Sequence, residues 1–226
     1  MSDNADHWLR QPPLELSAEQ VAHLESQPIT ERIRDGWLQC PDEVPKWAYL
    51  KWLARTSDVL FHGSNRSDIT RFEPRTPDDS SAEDFSRQTA VFAASAPLWA
   101  IFYAILDRSQ PGLRLLNGAF EVLEMATSSE TRYFFSVTQE VLERGAWREG
   151  TLYLFPGETF TRQEGSTWRG KKTLTHQWAS LVPVTPLAKV KVRPTDFPFL
   201  EKVRGHSNAY VERRAEEDPH GFPWLD

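Results

Sequence analysis

Residues 59–64 read Val-Leu-Phe-His-Gly-Ser, and residues 91–103 read Val-Phe-Ala-Ala-Ser-Ala-Pro-Leu-Trp-Ala-Ile-Phe-Tyr. The first stretch is a short apolar run stopped by His62-Gly63-Ser64, the pattern of a buried strand entering a turn. The second begins strand-like, over Thr89 to Ala93. It then turns helical from Ala96 to Asp107, with Pro97 at a tolerated first-turn position.

Working outward, the chain divides into three parts. Residues 1–57 read as an arm and a helical cap. Residues 1–16 are expected to be loose. Ser17 and Gln20 form a capping box for a short helix to about Ser26. A second short helix is expected between Pro28 and Gly36, and a third from about Val44 to Arg55, where Trp47, Leu50 and Leu53 make one apolar stripe. Residues 58–203 read as the main domain. After the 96–107 helix, strands are expected at 113–116, 120–123, 133–137, 151–155, 175–180 and 187–192, with a short helix from Gln139 to Arg144. A brief strand is expected at 69–72, and a mobile polar loop at 75–87. Strands without regular crossover helices argue against a doubly wound parallel sheet and for an α+β fold of two packed, mostly antiparallel sheets. Residues 204–226 form a charged tail ending in aromatics.

The 226 residues suffice for one large domain or one domain with decorated ends. Nine tryptophans and thirteen phenylalanines readily build its core. The net charge of −6 works against general nucleic-acid binding. The basic stretch from Arg162 to Lys172 reads as a solvated loop. Cys40 is the single cysteine, so an intramolecular disulfide is excluded and a reducing compartment is implied. No apolar run reaches the roughly 20 residues of a membrane span, and no secretory signal pattern opens the chain. The expectation is a cytoplasmic protein without a membrane partner. The six histidines show no metal-ligand spacing, so no metal is expected. Ser64, Ser95 and Ser180 lack the context of a hydrolase nucleophile.

The His62 to Tyr103 stretch carries groups that a nicotinamide dinucleotide needs. A histidine ending a strand can bond a ribose hydroxyl. Gly63, lacking Cβ, lets the backbone approach a planar carboxamide, and the Ser64 hydroxyl can add a second bond. Aromatics on the helix can sandwich a flat ring. The competing reading makes His62 a locally satisfied turn residue, and Phe92, Phe102 and Tyr103 ordinary core.

In these residues the chain resembles the ADP-ribosyltransferase superfamily, in the branch of the poly(ADP-ribose) polymerases and diphtheria-type toxins. Leu60 to Ser64 is similar to its first motif. Val91 to Ser95, with the helix over 99–104, is similar to its second. The resemblance implies a split β core, NAD as substrate, and His62, Gly63, Ser64, Phe92, Phe102 and Tyr103 as NAD-binding residues. The third motif places a glutamate at the head of a strand, and here Gln177 occupies that position. An amide can bond a hydroxyl but brings no charge to a developing cation. Glu158 and Glu164 are the nearest alternative acids. The implied activity is transfer of ADP-ribose from NAD to an unidentified macromolecular acceptor or water, with His62 and Gln177 as catalytic residues. The alternatives are a silent NAD or ADP-ribose binding module and an RNA 2′-phosphotransferase-like enzyme.

Overall fold

The computed structural model describes residues 7–77, 84–125, 128–219 and 221–225. The chain begins with β1 (Leu9–Arg10), α1 (Ala18–Glu25), β2 (Ile33–Arg34), β3 (Trp37–Leu38) and α2 (Lys46–Thr56). It continues through β4 (Val59–Ser64), α3 (Asp84–Arg87), β5 (Val91–Ala94) and α4 (Pro97–Ile105). Then follow β6 (Leu115–Met125), β7 (Ser128–Thr138), α5 (Gln139–Gly145) and β8 (Gly150–Pro156). The last part holds β9 (Thr161–Arg162), β10 (Thr167–Trp168), β11 (Lys171–Thr175), β12 (Gln177–Ser180), β13 (Ala188–Val192), β14 (Arg204–His206) and α6 (Asn208–Glu217).

These strands form two sheets. One runs in the order β1-β7-β6-β11-β10, with β14 also beside β7. The other runs β2-β3-β13-β8-β4-β5-β12-β9. The pairings are antiparallel except β3–β13 and β7–β14. The α+β class with two mostly antiparallel sheets therefore stands. Among the described residues, no helix is long and apolar enough to cross a membrane.

Several local expectations need correction. Residues 9–10 are not loose but pair with β7 through Leu9↔Tyr133 and Arg10↔Arg132. The expected second helix is one 3-10 turn, Ile29–Arg32, followed by the β2–β3 hairpin. Asp35 and Gly36 close that hairpin at φ of 52° and 77°, and an Asp-Gly pair suits a turn with two positive φ angles. The two strands expected around Asn117-Gly118 are one continuous strand, because β7 pairs with β6 along its whole length. Residues 69–72 supply only a bridge, Phe72↔Val184. The basic stretch is not a plain loop: it holds β9, β10 and the start of β11, and Arg162 Nε donates to Thr175 O at 2.6 Å. Of the loop expected over 75–87, residues 78–83 lie outside the described ones, and 84–87 are helical. The capping box forms as expected, with Ser17 Oγ accepting from Gln20 N and Gln20 Oε1 from Ser17 N.

The expected strand at 175–180 proves to be a change of sheet. β11 pairs with β6, whereas β12 pairs with β5. His176 is the joint: its N–H donates to Ala119 O at 3.1 Å in one sheet, and its carbonyl accepts from Ser95 N at 3.0 Å in the other. The main core lies between the sheets and encloses α2 and α4, with Tyr49, Phe61, Phe102, Tyr133, Phe135 and Phe197 buried in it. A smaller core, including Leu60, Phe72, Tyr153, Phe155 and Val184, covers the other face of the larger sheet.

Candidate functional site

The three strands that carry the motif residues are neighbours, in the order β4-β5-β12. Their register fixes which side chains share a face. Phe61 pairs with Ala94, and Ala94 pairs with Gln177. Partners in an antiparallel ladder point the same way, and successive residues alternate. Phe61, Phe92, Ala94, Gln177 and Ala179 therefore face the side of α4, and His62, Ala93 and Trp178 face the smaller core. Sequence reasoning groups His62 with Gln177 in one site; the sheet stands between their side chains.

On the His62 face, the ring is half-buried and meets Phe72 edge-on at a centroid distance of 4.9 Å. Its Nδ1 lies 2.7 Å from Phe92 O. A carbonyl can only accept, so Nδ1 carries the proton. Burial pushes the His62 pKa below the ordinary histidine value, against the opposing effect of that hydrogen bond. At neutral pH the ring is neutral and Nε2 is an acceptor. Nε2 makes no hydrogen bond among the described residues. That combination can receive a hydroxyl proton, such as one from a ribose.

Gly63 has a packing reason to be glycine. A Cβ there would lie 2.1 Å from Ala100 O and 2.6 Å from Ala104 N. On β8, Gly150 meets the same helix, with a Cβ position 1.8 Å from Ala104 O. The α4 backbone therefore rests on two glycines, and the space beside the Gly63 α-carbon is occupied. Ser64 is half-buried, and its Oγ accepts from Arg66 N at 3.1 Å.

The aromatic platform differs from the expected one. Phe102 is fully buried against Phe135 and Phe197, at centroid distances of 4.7 and 6.1 Å, so it is core and offers no face to a ligand. The half-buried aromatics of α4 are Trp99 and Tyr103, one turn apart. Trp99 Nε1 and Tyr103 Oη both donate to Asn117 Oδ1 on β6, at 2.6 and 2.9 Å. Phe92 is half-buried and meets Phe85 of α3 edge-on at 6.4 Å. Gln177 Nε2 donates to Ser86 Oγ at 3.3 Å. Glu158 and Glu164 are both exposed.

Sequence reading missed a polar group where the sheets part. His176 Nδ1 is 2.8 Å from Ser95 Oγ, and its Nε2 is buried without a hydrogen-bond partner among the described residues. Burial, together with the positive charges of Lys51 and Arg162, lowers the His176 pKa to about 3. Burial also pushes the Lys51 ammonium below its usual value, an effect that Glu121 opposes. Arg162 Nη2 lies 3.9 Å from Glu121 Oε2. Glu121 is a half-buried acid on β6, opposite Leu174 of β11. Its only sequence signal is a place within the strand expected at 120–123. Cys40, its thiol pushed up to about 12 chiefly by burial, is no nucleophile. Among the described residues, no group of three histidine, cysteine or acidic side chains is arranged to hold a metal.

The chain matches no family model, no curated protein and no solved structure.

Proposed function

We propose that the chain is a nicotinamide-dinucleotide or ADP-ribose binding protein of ADP-ribosyltransferase type, with little or no turnover. The observation that carries this reading is the His62 ring. Phe92 O fixes its tautomer, and the neutral Nε2 is left as an acceptor beside two strands that resemble the family's first two motifs. The absence of turnover rests on Gln177. It has no charge to set against an oxocarbenium-like transition state, and its side chain turns to the opposite face from His62.

A second reading, an NAD-cleaving transferase, is favoured by the adjacency of all three motif strands. In that reaction the bond from the ribose C1′ to the nicotinamide nitrogen breaks. Nicotinamide leaves with the electron pair, and an acceptor nucleophile takes C1′.

Incubation with NAD separates the two. Binding is read by thermal shift, since a ligand that prefers the folded state raises the apparent stability. Turnover is read as free nicotinamide. The proposal expects a shift lost in His62→Ala and no release above background. Release from the native chain that is lost in His62→Ala would select the transferase. A shift unchanged in His62→Ala would remove His62 from the site, and no shift with NAD or ADP-ribose would withdraw both readings.

A further inference from the structure

The α4-side face of the larger sheet bears a hollow at its β12–β9 edge that plays no part in the reading above. The cavity measures about 310 Å³, with Ala179 on its floor and Thr161 beside it. These two residues pair across β12 and β9, and Ala179 pairs with Phe92 across β12 and β5, so they share one face. Helix α3 walls the hollow. Its Phe85 rests edge-on against Phe92, and its Ser86 accepts from Gln177. The rim is Leu181 and Val182, which are 68% and 49% exposed.

The chemistry of this lining is restricted. Among the described residues, its polar side chains are Gln88, Thr159 and Thr161, and no charged side chain contributes. Ser180 Oγ donates to Thr159 Oγ1 at 3.1 Å, which holds that hydroxyl in place. A phosphate or carboxylate would find no counter-charge among these residues, and a purely aliphatic ligand would leave the amide and hydroxyls unmatched. An aromatic wall, two aliphatic rim residues, and uncharged donors and acceptors fit a flat, neutral, nitrogen-bearing ring. The volume lies near the lower end of small-molecule sites and suits one base or nucleoside. The small Ala179 side chain keeps the floor open, and a ring seated there would also cover Leu181 and Val182.

We propose that this hollow is a binding site for a neutral planar heterocycle, either a purine base or a pyridine carboxamide, on the face opposite His62. The site does not depend on dinucleotide binding at His62.

The test is saturation-transfer NMR on the full chain, with adenosine and nicotinamide as neutral probes and AMP and nicotinate as their charged counterparts. Transfer to the ring protons of adenosine or of nicotinamide is expected, and the responding arm identifies the ring. AMP or nicotinate should bind no more tightly than its neutral partner. Thr161→Val and Gln88→Leu should each weaken binding roughly three- to tenfold, the range for one lost hydrogen bond. Ala179→Leu should abolish it. If Ala179→Leu fails to fold, the two polar variants decide. No transfer to either neutral probe would overturn the proposal, as would tighter binding of the charged forms. So would transfer that survives both polar variants, or that falls in His62→Ala while persisting in Thr161→Val.

Discussion

The two faces of the larger sheet are covered in different ways. Around Gly63, the face toward α4 carries a helix whose backbone touches strand backbone, with the second sheet behind it. Around His62, the other face is covered by chain segments that include Phe72 and Val184, which pair with each other through a single bridge. Adjacent residues of one strand thus serve different ends. Gly63 has no side chain because a helix stands where one would be. His62 has a side chain with one nitrogen fixed and the other unused. Close packing favours stability, and the less regularly covered face leaves one ring nitrogen of His62 without a hydrogen bond among the described residues.

The largest effect on this comparison is expected from Phe102→Ala. Phe102 is fully buried among Phe135 of β7, Trp147 and Phe197. Its truncation should cost about 3–5 kcal/mol in urea unfolding. If it serves as core alone, any loss of ligand binding should be no greater than the loss of folded protein. A fully folded Phe102→Ala protein with selective loss of ligand binding would return the residue to the site.

Gly63→Ala comes next. The added methyl meets backbone atoms, which cannot rotate away, so α4 must retreat from β4. The expected cost is about 3 kcal/mol, in the upper part of the overpacking range. A cost below about 1 kcal/mol would show that the helix gives way easily. Gly63 would then be better explained by close approach of a ligand than by packing.

The two sheets can be compared through their histidines. His176 sits at the sheet junction with a pKa lowered to about 3, and His206 on β14 has one lowered to about 4, in both cases mainly by burial. A base with a depressed folded pKa stays neutral while the unfolded chain takes up a proton near pH 6.5. Stability is then fully present above about 6.5 and falls as the pH drops toward the folded value. Each histidine should contribute a slope of up to about 1.4 kcal/mol per pH unit over that window. Denaturant midpoints between pH 7 and 4.5 should show the loss, and His206→Gln and His176→Gln should each flatten the curve. If only His206→Gln flattens it, then His176 is hydrated or protonated in the native chain.

How much of this could be read from the sequence depends on the length of each element and on what it packs against. Strands β4, β5 and β8 are visible as apolar runs bounded by turn residues and β13 as an apolar–charged alternation, and the lack of regular crossover helices between strands makes the two-sheet class legible. The two-residue strands β1, β2 and β3 have no periodicity to read. The sheet change at His176 was hidden because residues on both sides of it are strand-like. Within α4 the apolar residues run nearly all the way round the helix, so nothing in the pattern separated Phe102, which faces the core, from Trp99 and Tyr103, which reach Asn117. Placing the motif residues on neighbouring strands did not predict the faces they occupy. A one-residue difference in pairing reverses the direction of a side chain, and only the register separates His62 from Gln177.

The smallest effect is expected at Gln177 itself. Its side chain is half-buried, and its hydrogen bond to Ser86 Oγ is long, at 3.3 Å. Gln177→Ala should therefore change stability by less than about 1 kcal/mol, the ordinary net worth of one such bond. Gln177→Glu tests the function instead. It restores the charge that the superfamily's third motif would have, at the same position and nearly the same size. If the fold can bring that position to the ribose of NAD, nicotinamide release should rise measurably above that of the native chain. If the register holds in solution, the new carboxylate faces away from His62 and release stays at background. The first result would mean that the amide alone silenced the chain. The second would mean that the direction of β12 had already removed this position from any site built on His62.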